Sequence, residues 1–209
     1  EHSDLGSGFK IAMSDLEIRG GGTILGASQS GHVAAVGYDM FLKLMEESVA
    51  ELKGTTVQAP LEPEINMPLA AFIAETYVPD IDQRLAAYRR LARMTTLGEI
   101  ADYKKELIDR FGPLPEESAN LLLKIMVRAL AIEAGIKRLD LAGRQLILYF
   151  SVEHQRDSGQ VVDMVLADPS RYQLKPNAVL TAKLNGGAFR AQLSQVKNIL
   201  KEIAQRVNS

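Results

Sequence analysis

Between Asp80 and Gly135 the chain carries a start and a stop signal for each of three consecutive helices, and this punctuation restricts the fold more than any other feature. Asp80 has the short carboxylate that accepts from the free amides of a first helical turn. Behind it Leu85, Tyr88, Leu91 and Ala92 form one apolar stripe at helical spacing. Thr96-Leu97-Gly98-Glu99 has the Thr-x-x-Glu spacing of a reciprocal cap, and the helix it opens closes at Phe111-Gly112. Pro115-Glu116-Glu117 opens the next, with proline and two acids where the missing donor and the helix dipole favour them. That helix runs to about Ala134-Gly135.

After Gly135 the period changes from helical to alternating. Ile136 to Leu141 and Gln145 to Val152 predict a hairpin turning at Gly143-Arg144. A short helix near 159–168 stops before Pro169, and Val179 to Leu184 reads as a further strand. Leu193, Val196, Leu200, Ile203 and Val207 then lie on one face of a closing helix, about 189 to 207. Residues 69–209 are therefore expected to form one α+β domain, with helices packed on a small, mainly antiparallel sheet. Ahead of it, residues 55–68 contain three prolines and no helical period. They predict a linker with one extended segment, Glu64 to Met67, suited to a sheet edge.

Residues 1–54 are of another kind. Phe9, Ala12, Met13 and Leu16 share a helix face, with Asp15 and Arg19 one turn apart on another. Gly20, Gly21 and Gly22 end that helix and make a hinge. A second helix is expected over 37–53, on the spacing of Tyr38, Phe41, Leu42, Met45, Val49 and Leu52. Two such helices bury too little surface to stand alone, so this segment should dock on something larger.

Chemistry is excluded more readily than it is found. The 209 residues include no cysteine, which rules out disulfides, thiolate metal sites and a cysteine nucleophile and fits a cytoplasmic setting. No apolar run approaches the roughly 20 residues of a membrane helix. The opening Glu1-His2-Ser3 lacks an initiator Met and a basic leader, as an excised fragment would. His2, His32 and His154 have no metal-ligand spacing, and no metal or catalytic site is expected. Eight of the 16 glycines lie between Gly6 and Gly37, but they follow a helix rather than a strand and no Gly-Lys-Ser/Thr accompanies them. A phosphate cradle is disfavoured on both counts. The acids of 99–117 alternate with Lys104, Lys105 and Arg110 as on a solvated helix face.

A formal net charge of −2 gives no overall basic footprint, so any contact with nucleic acid must be local. Arg84, Arg89, Arg90 and Arg93 crowd one helix and suit phosphates. Asp80, Asp82 and Glu99 lie beside them in sequence, however, and the plainer reading is a charged helix face or an interdomain contact.

GSGFKIAMSDLEIRGGGTILGASQSG followed by VGYDMFLKLMEESV resembles the helicase-proximal motif of the transcription-repair coupling factors (the Mfd family), shared in weaker form with RecG-type translocases. NMPLAAFIAETYVPDIDQRLAAYRRLA and ELIDRFGPLPEES resemble the C-terminal domain that the coupling factors add. The resemblance implies a piece of an ATP-dependent double-stranded DNA translocase that releases stalled RNA polymerase and recruits a UvrA-type repair protein. ATP and Mg would be bound upstream of Glu1, with no cofactor in this chain. By the motif, Arg19 is the motor-coupling arginine, whose hydrogen bonds switch during the cycle. Gln29 lies in the loop that reaches the duplex, and Gly20, Gly21 and Gly22 form its hinge. Residues 1–54 would thus be the second helix and trailing loop of a helical hairpin. Residues 69–209 would be autoinhibitory, masking the UvrA-binding surface through an intramolecular contact with the repair-recruiting module. Two departures stand out: Arg19 is followed by three glycines where many relatives have Gly-Ala-Gly, and Ser28 replaces an acid. A stand-alone protein-interaction module or scaffold with no motor role is the alternative reading.

Overall fold

A computed structural model describes residues 61–152 and 159–208. The expected helices near 9–19 and 37–53, the Asp15–Arg19 pair and the glycine hinge lie outside the described residues.

The described chain opens with strand β1 (Glu64–Asn66) and a non-helical stretch. Three helices follow, α1 (Ile81–Arg93), α2 (Leu97–Phe111) and α3 (Glu116–Glu133). Strands β2 (Ile136–Ala142) and β3 (Gln145–Phe150), helix α4 (Gly159–Ala167), strands β4 (Tyr172–Lys175) and β5 (Val179–Lys183), and helix α5 (Phe189–Val207) complete it. The strands form one sheet in the order β1-β2-β3-β5-β4. β1 runs parallel to β2, with Ile65 opposite Leu139, and every other pair is antiparallel. The expected α+β class and the mainly antiparallel sheet are both present, and the extended segment expected at a sheet edge is β1.

The punctuation operates as its chemistry predicts. The Asp80 Oδ1 accepts from the Gln83 amide at 2.8 Å. The Thr96 Oγ1 accepts from the Glu99 amide at 3.3 Å while the Glu99 carboxylate accepts from the Thr96 amide at 3.1 Å, so two orphan donors are satisfied reciprocally. Those hydrogen bonds, from the Thr96 side chain first, hold the Glu99 carboxyl below its ordinary pKa. Gly112 stops α2 at φ 84°, and Gly143 turns the β2–β3 hairpin at φ 59°, both left-handed positions. Pro115 stands one residue before the helix, as its N-cap, rather than at its first position.

β4 has no counterpart among the expected strands. Its turn to β5, Pro176 to Ala178, holds both Asn177 (φ 63°) and Ala178 (φ 54°) in the left-handed region. A turn of this kind ordinarily announces itself by glycine. Here an alanine occupies the position, held in place by the Phe150 amide donating to its carbonyl at 3.0 Å.

Two apolar cores share one helix. Val127, Leu130 and Ala131 of α3 pack with Leu139, Leu148, Leu180 and the Leu193–Val207 face of α5. Leu121, Leu122, Ile125 and Ala129 of the same helix pack with Leu91, Ile100, Tyr103 and Leu107 of α1 and α2. This explains why α3 is apolar around most of its circumference: it is covered from two sides. The non-helical stretch between β1 and α1 is stitched to the helical core. Tyr88 Oη accepts from the Ile73 amide at 2.8 Å, Ser118 Oγ donates to the Phe72 carbonyl at 3.2 Å, and Asn120 donates to the Ala70 carbonyl at 3.1 Å.

One buried cation joins these parts. The Arg128 guanidinium, on α3, grips both carboxylate oxygens of Glu62 just before β1 and donates to the Met94 carbonyl at the end of α1. The Arg128 side chain is 7% exposed, and that of Glu62 is 31% exposed. Removing the cation leaves a carboxylate short of partners, but with some access to water. Arg128→Met is therefore expected to cost roughly 2–3 kcal/mol, toward the low end for a broken buried pair. Urea unfolding of the two proteins measures it, and an unchanged midpoint would show that the pair contributes nothing net. Ala178→Gly should act in the opposite direction, stabilising by about 0.5–1 kcal/mol, the relief of a left-handed alanine less the added entropy of glycine. The same titration reads it, and a loss of stability would mean that the methyl group packs better than its backbone strain costs.

Candidate functional site

Of the arginines that crowd α1, the structure gives each a different task. Arg84 is buried and structural: its Nη1 donates to the Val78 carbonyl at 2.8 Å and the Pro79 carbonyl at 2.9 Å, closing the approach to α1. It does not belong to a basic surface, because satisfying two carbonyls at the helix entry takes its guanidinium inward. Arg90 points across to α2, where its Nη1 lies 2.6 Å from Glu106 and its guanidinium sits 4.3 Å above the Tyr103 ring. Arg110 approaches the same carboxylate at 3.5 Å and the Gln83 side chain at 3.4 Å. Glu106 thus pairs with two arginines at once and leaves the trio with an excess positive charge. Burial raises the Tyr103 hydroxyl pKa, and the charge of Arg90 partly offsets that. These groups rim a shallow hollow of about 140 Å³ floored by Val78, Ala87 and Phe111. Arg89 and Arg93 remain on the exposed side of α1, and no carboxylate among the described residues pairs with them.

The sheet has a second polar surface on the face away from the helices, at its β1 edge. Arg138 Nε lies 2.9 Å from Asp140 Oδ1, and Asn66 donates to the same oxygen at 2.8 Å. The Arg138 guanidinium also stands 5.2 Å from the Tyr149 ring centroid. Burial alone raises the Asp140 carboxyl pKa, but the hydrogen bonds from Arg138 and Asn66 and the Arg138 charge outweigh it, and the net shift is downward. All its groups are mutually satisfied, so it pins β1 to β2 rather than offering a site.

Neither surface has the makings of catalysis. Among the described residues, no group of three or more His, Cys, Asp or Glu converges to hold a metal ion. No helix among them is long and apolar enough to cross a membrane. The residues singled out for motor coupling and DNA contact, Arg19 and Gln29, with the hinge at Gly20, Gly21 and Gly22, lie outside the described residues, as do His2, His32 and His154. Arg128, Glu62 and the bridging role of Glu106 were not legible in advance. Arg128 and Glu62 are 66 residues apart and Glu106 is 16 from Arg90, distances that no local pattern marks, although Arg110 stands one helical turn from Glu106.

Comparison with known proteins places this architecture. A family model described as the TRCF domain matches residues 67–161. The chain is 36% identical over 207 residues to the transcription-repair-coupling factor of Myxococcus xanthus, covering 97% of this chain and 17% of that protein. It is 29% identical over 209 residues to that of Escherichia coli K12, covering 97% and 18%. With that of Bacillus subtilis the identity is 44% over 118 residues, 56% of this chain and 10% of that protein. The chain therefore spans under a fifth of the length of the curated relatives it matches. A crystal structure of the C-terminal domain of a transcription-repair coupling factor superposes with a TM-score of 0.57 at 18% identity, over 69% of this chain and 94% of that one. The chain belongs to the transcription-repair-coupling factor family, and its described residues have the fold of that family's C-terminal domain.

Proposed function

We propose that this chain is the C-terminal part of an ATP-dependent double-stranded DNA translocase that releases stalled RNA polymerase and couples transcription to nucleotide excision repair. The observation that supports it is the match of almost the entire chain, from the glycine-rich motif to the last helix, to transcription-repair-coupling factors. In this reading residues 1–54 transmit ATP hydrolysis to DNA stepping, and residues 69–209 mask the UvrA-binding surface by packing on the repair-recruiting module. ATP and Mg are bound by the motor upstream, and the chain itself is not an enzyme. Its setting is the cytoplasm, where its DNA, polymerase and UvrA partners work.

A masking contact must also let go, which favours a polar interface over an apolar one. The exposed Arg89 and Arg93 and the Arg90–Glu106–Arg110 group suit such an interface. The test compares the full-length factor with one truncated after residue 68 of this chain, titrated with UvrA. Truncation is expected to raise UvrA affinity about tenfold or more, the size of one modest coupling free energy. Equal affinities would remove the masking role and leave the domain as a scaffold.

Arg19 carries the motor half of the proposal. It lies beside the triple glycine, at the border of the Phe9, Ala12, Met13 and Leu16 stripe in a helical projection. In the full-length factor Arg19→Ala should spare stability, within the ~0.5 kcal/mol of a surface change, yet uncouple hydrolysis from stepping. Triplex displacement and ATP turnover measured on the same variant decide this. Normal displacement would dismiss the coupling role, and so would a large fall in melting temperature.

A further inference from the structure

Three cations that are far apart in sequence meet at one end of the sheet, and their charge is not neutralised there. Gln145 of β3 is opposite Lys183 of β5. The Lys183 amide donates to the Arg171 carbonyl at 2.9 Å, one residue before the Tyr172–Ala182 pair, so Arg171 continues the same row across β4. Arg144, in the β2–β3 turn, donates from Nε to the Leu184 carbonyl at 3.4 Å and closes the row's other side. Between these residues and Ser170 lies a groove of about 410 Å³. That is within the size range of small-ligand sites.

Among the described residues no carboxylate comes within ion-pair distance of Arg144, Arg171 or Lys183. The nearest acid in the chain, Asp168, spends Oδ1 on the Ser170 hydroxyl at 2.7 Å and the Arg171 amide at 3.2 Å. It shapes the turn without pairing with the Arg171 guanidinium. Arg171 Nε is buried and has no hydrogen-bond partner, the one side-chain atom of the described residues in that condition. A buried donor without an acceptor is costly, and a guanidinium donor most of all.

We infer that this groove is a phosphate-binding site. The Arg171, Arg144 and Lys183 side chains supply charge, and the exposed Gln145 and Ser170 supply neutral hydrogen-bonding groups at the rim. Three positive charges match a phosphate or pyrophosphate group better than a single carboxylate, and the volume leaves room for an attached sugar. Guanidinium and ammonium groups together are the usual recognition set for such oxyanions. Its source is either a free nucleotide or the phosphodiester backbone of DNA, which share this chemistry.

The test uses isotopically labelled chain of residues 1–209, titrated in low salt with inorganic pyrophosphate, with ATP and with a short DNA duplex. Pyrophosphate is expected to give saturable shifts at the amides of Gln145, Arg171 and Lys183. The double variant Arg144→Gln/Lys183→Gln, which leaves the Asp168–Ser170–Arg171 turn intact, should weaken binding at least about fivefold, as loss of two charge-assisted contacts requires. Arg89→Gln, on the far helix α1, should leave affinity unchanged. ATP binding as tightly as the duplex, with the same shifts, identifies a free nucleotide as the ligand. Tighter binding by the duplex, displaced by pyrophosphate and lost with rising salt, identifies the DNA backbone. No saturable shift at these three amides up to about 10 mM pyrophosphate, beyond the millimolar affinity of even a weak site, overturns the inference. Equal affinity in the double variant overturns it too.

Discussion

The Arg128 guanidinium is the point at which the separate parts of this domain are tied together. It sits on the one helix that both cores share and reaches Glu62 ahead of β1 and Met94 at the end of α1. β1 has only three residues and pairs in parallel with β2, an arrangement with little intrinsic stability. Its lead-in is fixed by a bidentate, charge-assisted contact, the strongest form of hydrogen bond available to side chains. A hydrophobic residue at 128 would still suit the buried faces of α3, but it would not position β1. Specificity of chain path, rather than net stability, is what such a buried pair best supplies.

That arrangement explains why the domain tolerates two cores on opposite sides of a single helix. α1 and α2 pack on one flank of α3, and the sheet with α4 and α5 on the other. Among the described residues α3 with its Arg128, the stretch 67–79 and Leu97 of α2 connect them. The stretch 67–79 has no regular secondary structure, so its backbone groups must find partners individually, and they find them on Tyr88, Ser118 and Asn120. These bonds hold the stretch to α1 and α3, so it packs as part of the helical flank.

Much of this was legible because the signals are local. Asp80, the Thr96–Glu99 box, Gly112, Pro115 and Gly143 act within three or four residues of themselves, and sequence spacing alone locates the ends of α1, α2 and α3 and the β2–β3 turn. The edge strand β1 was legible through its prolines and its brief alternation. β4 was not, because it is four residues long and its turn places Ala178 where a glycine would have been the visible marker. Arg84 misled for a related reason. Four arginines in ten residues read as a surface, yet one of them turns inward to cap carbonyls that sequence cannot show to be vacant. The same limit applies to Arg128 and to the groove cations, which are neighbours only through strand register or tertiary packing.

The two arginine-rich places in the domain show why a net charge near zero says so little about partners. On α1 and α2 Glu106 serves two arginines, Arg90 also lies over the Tyr103 ring, and Arg89 and Arg93 face outward without an acid. At the β3–β5–β4 end the fold brings Arg144, Arg171 and Lys183 together without an acid and leaves a guanidinium nitrogen buried and unpartnered. Like charges held together work against folding unless something outside the chain neutralises them. The first arrangement is partly paired within the domain and fits a surface that rests against another protein module. The second is incomplete by one anion, and that asymmetry, which the overall charge of −2 conceals, marks where the domain has binding energy still to gain.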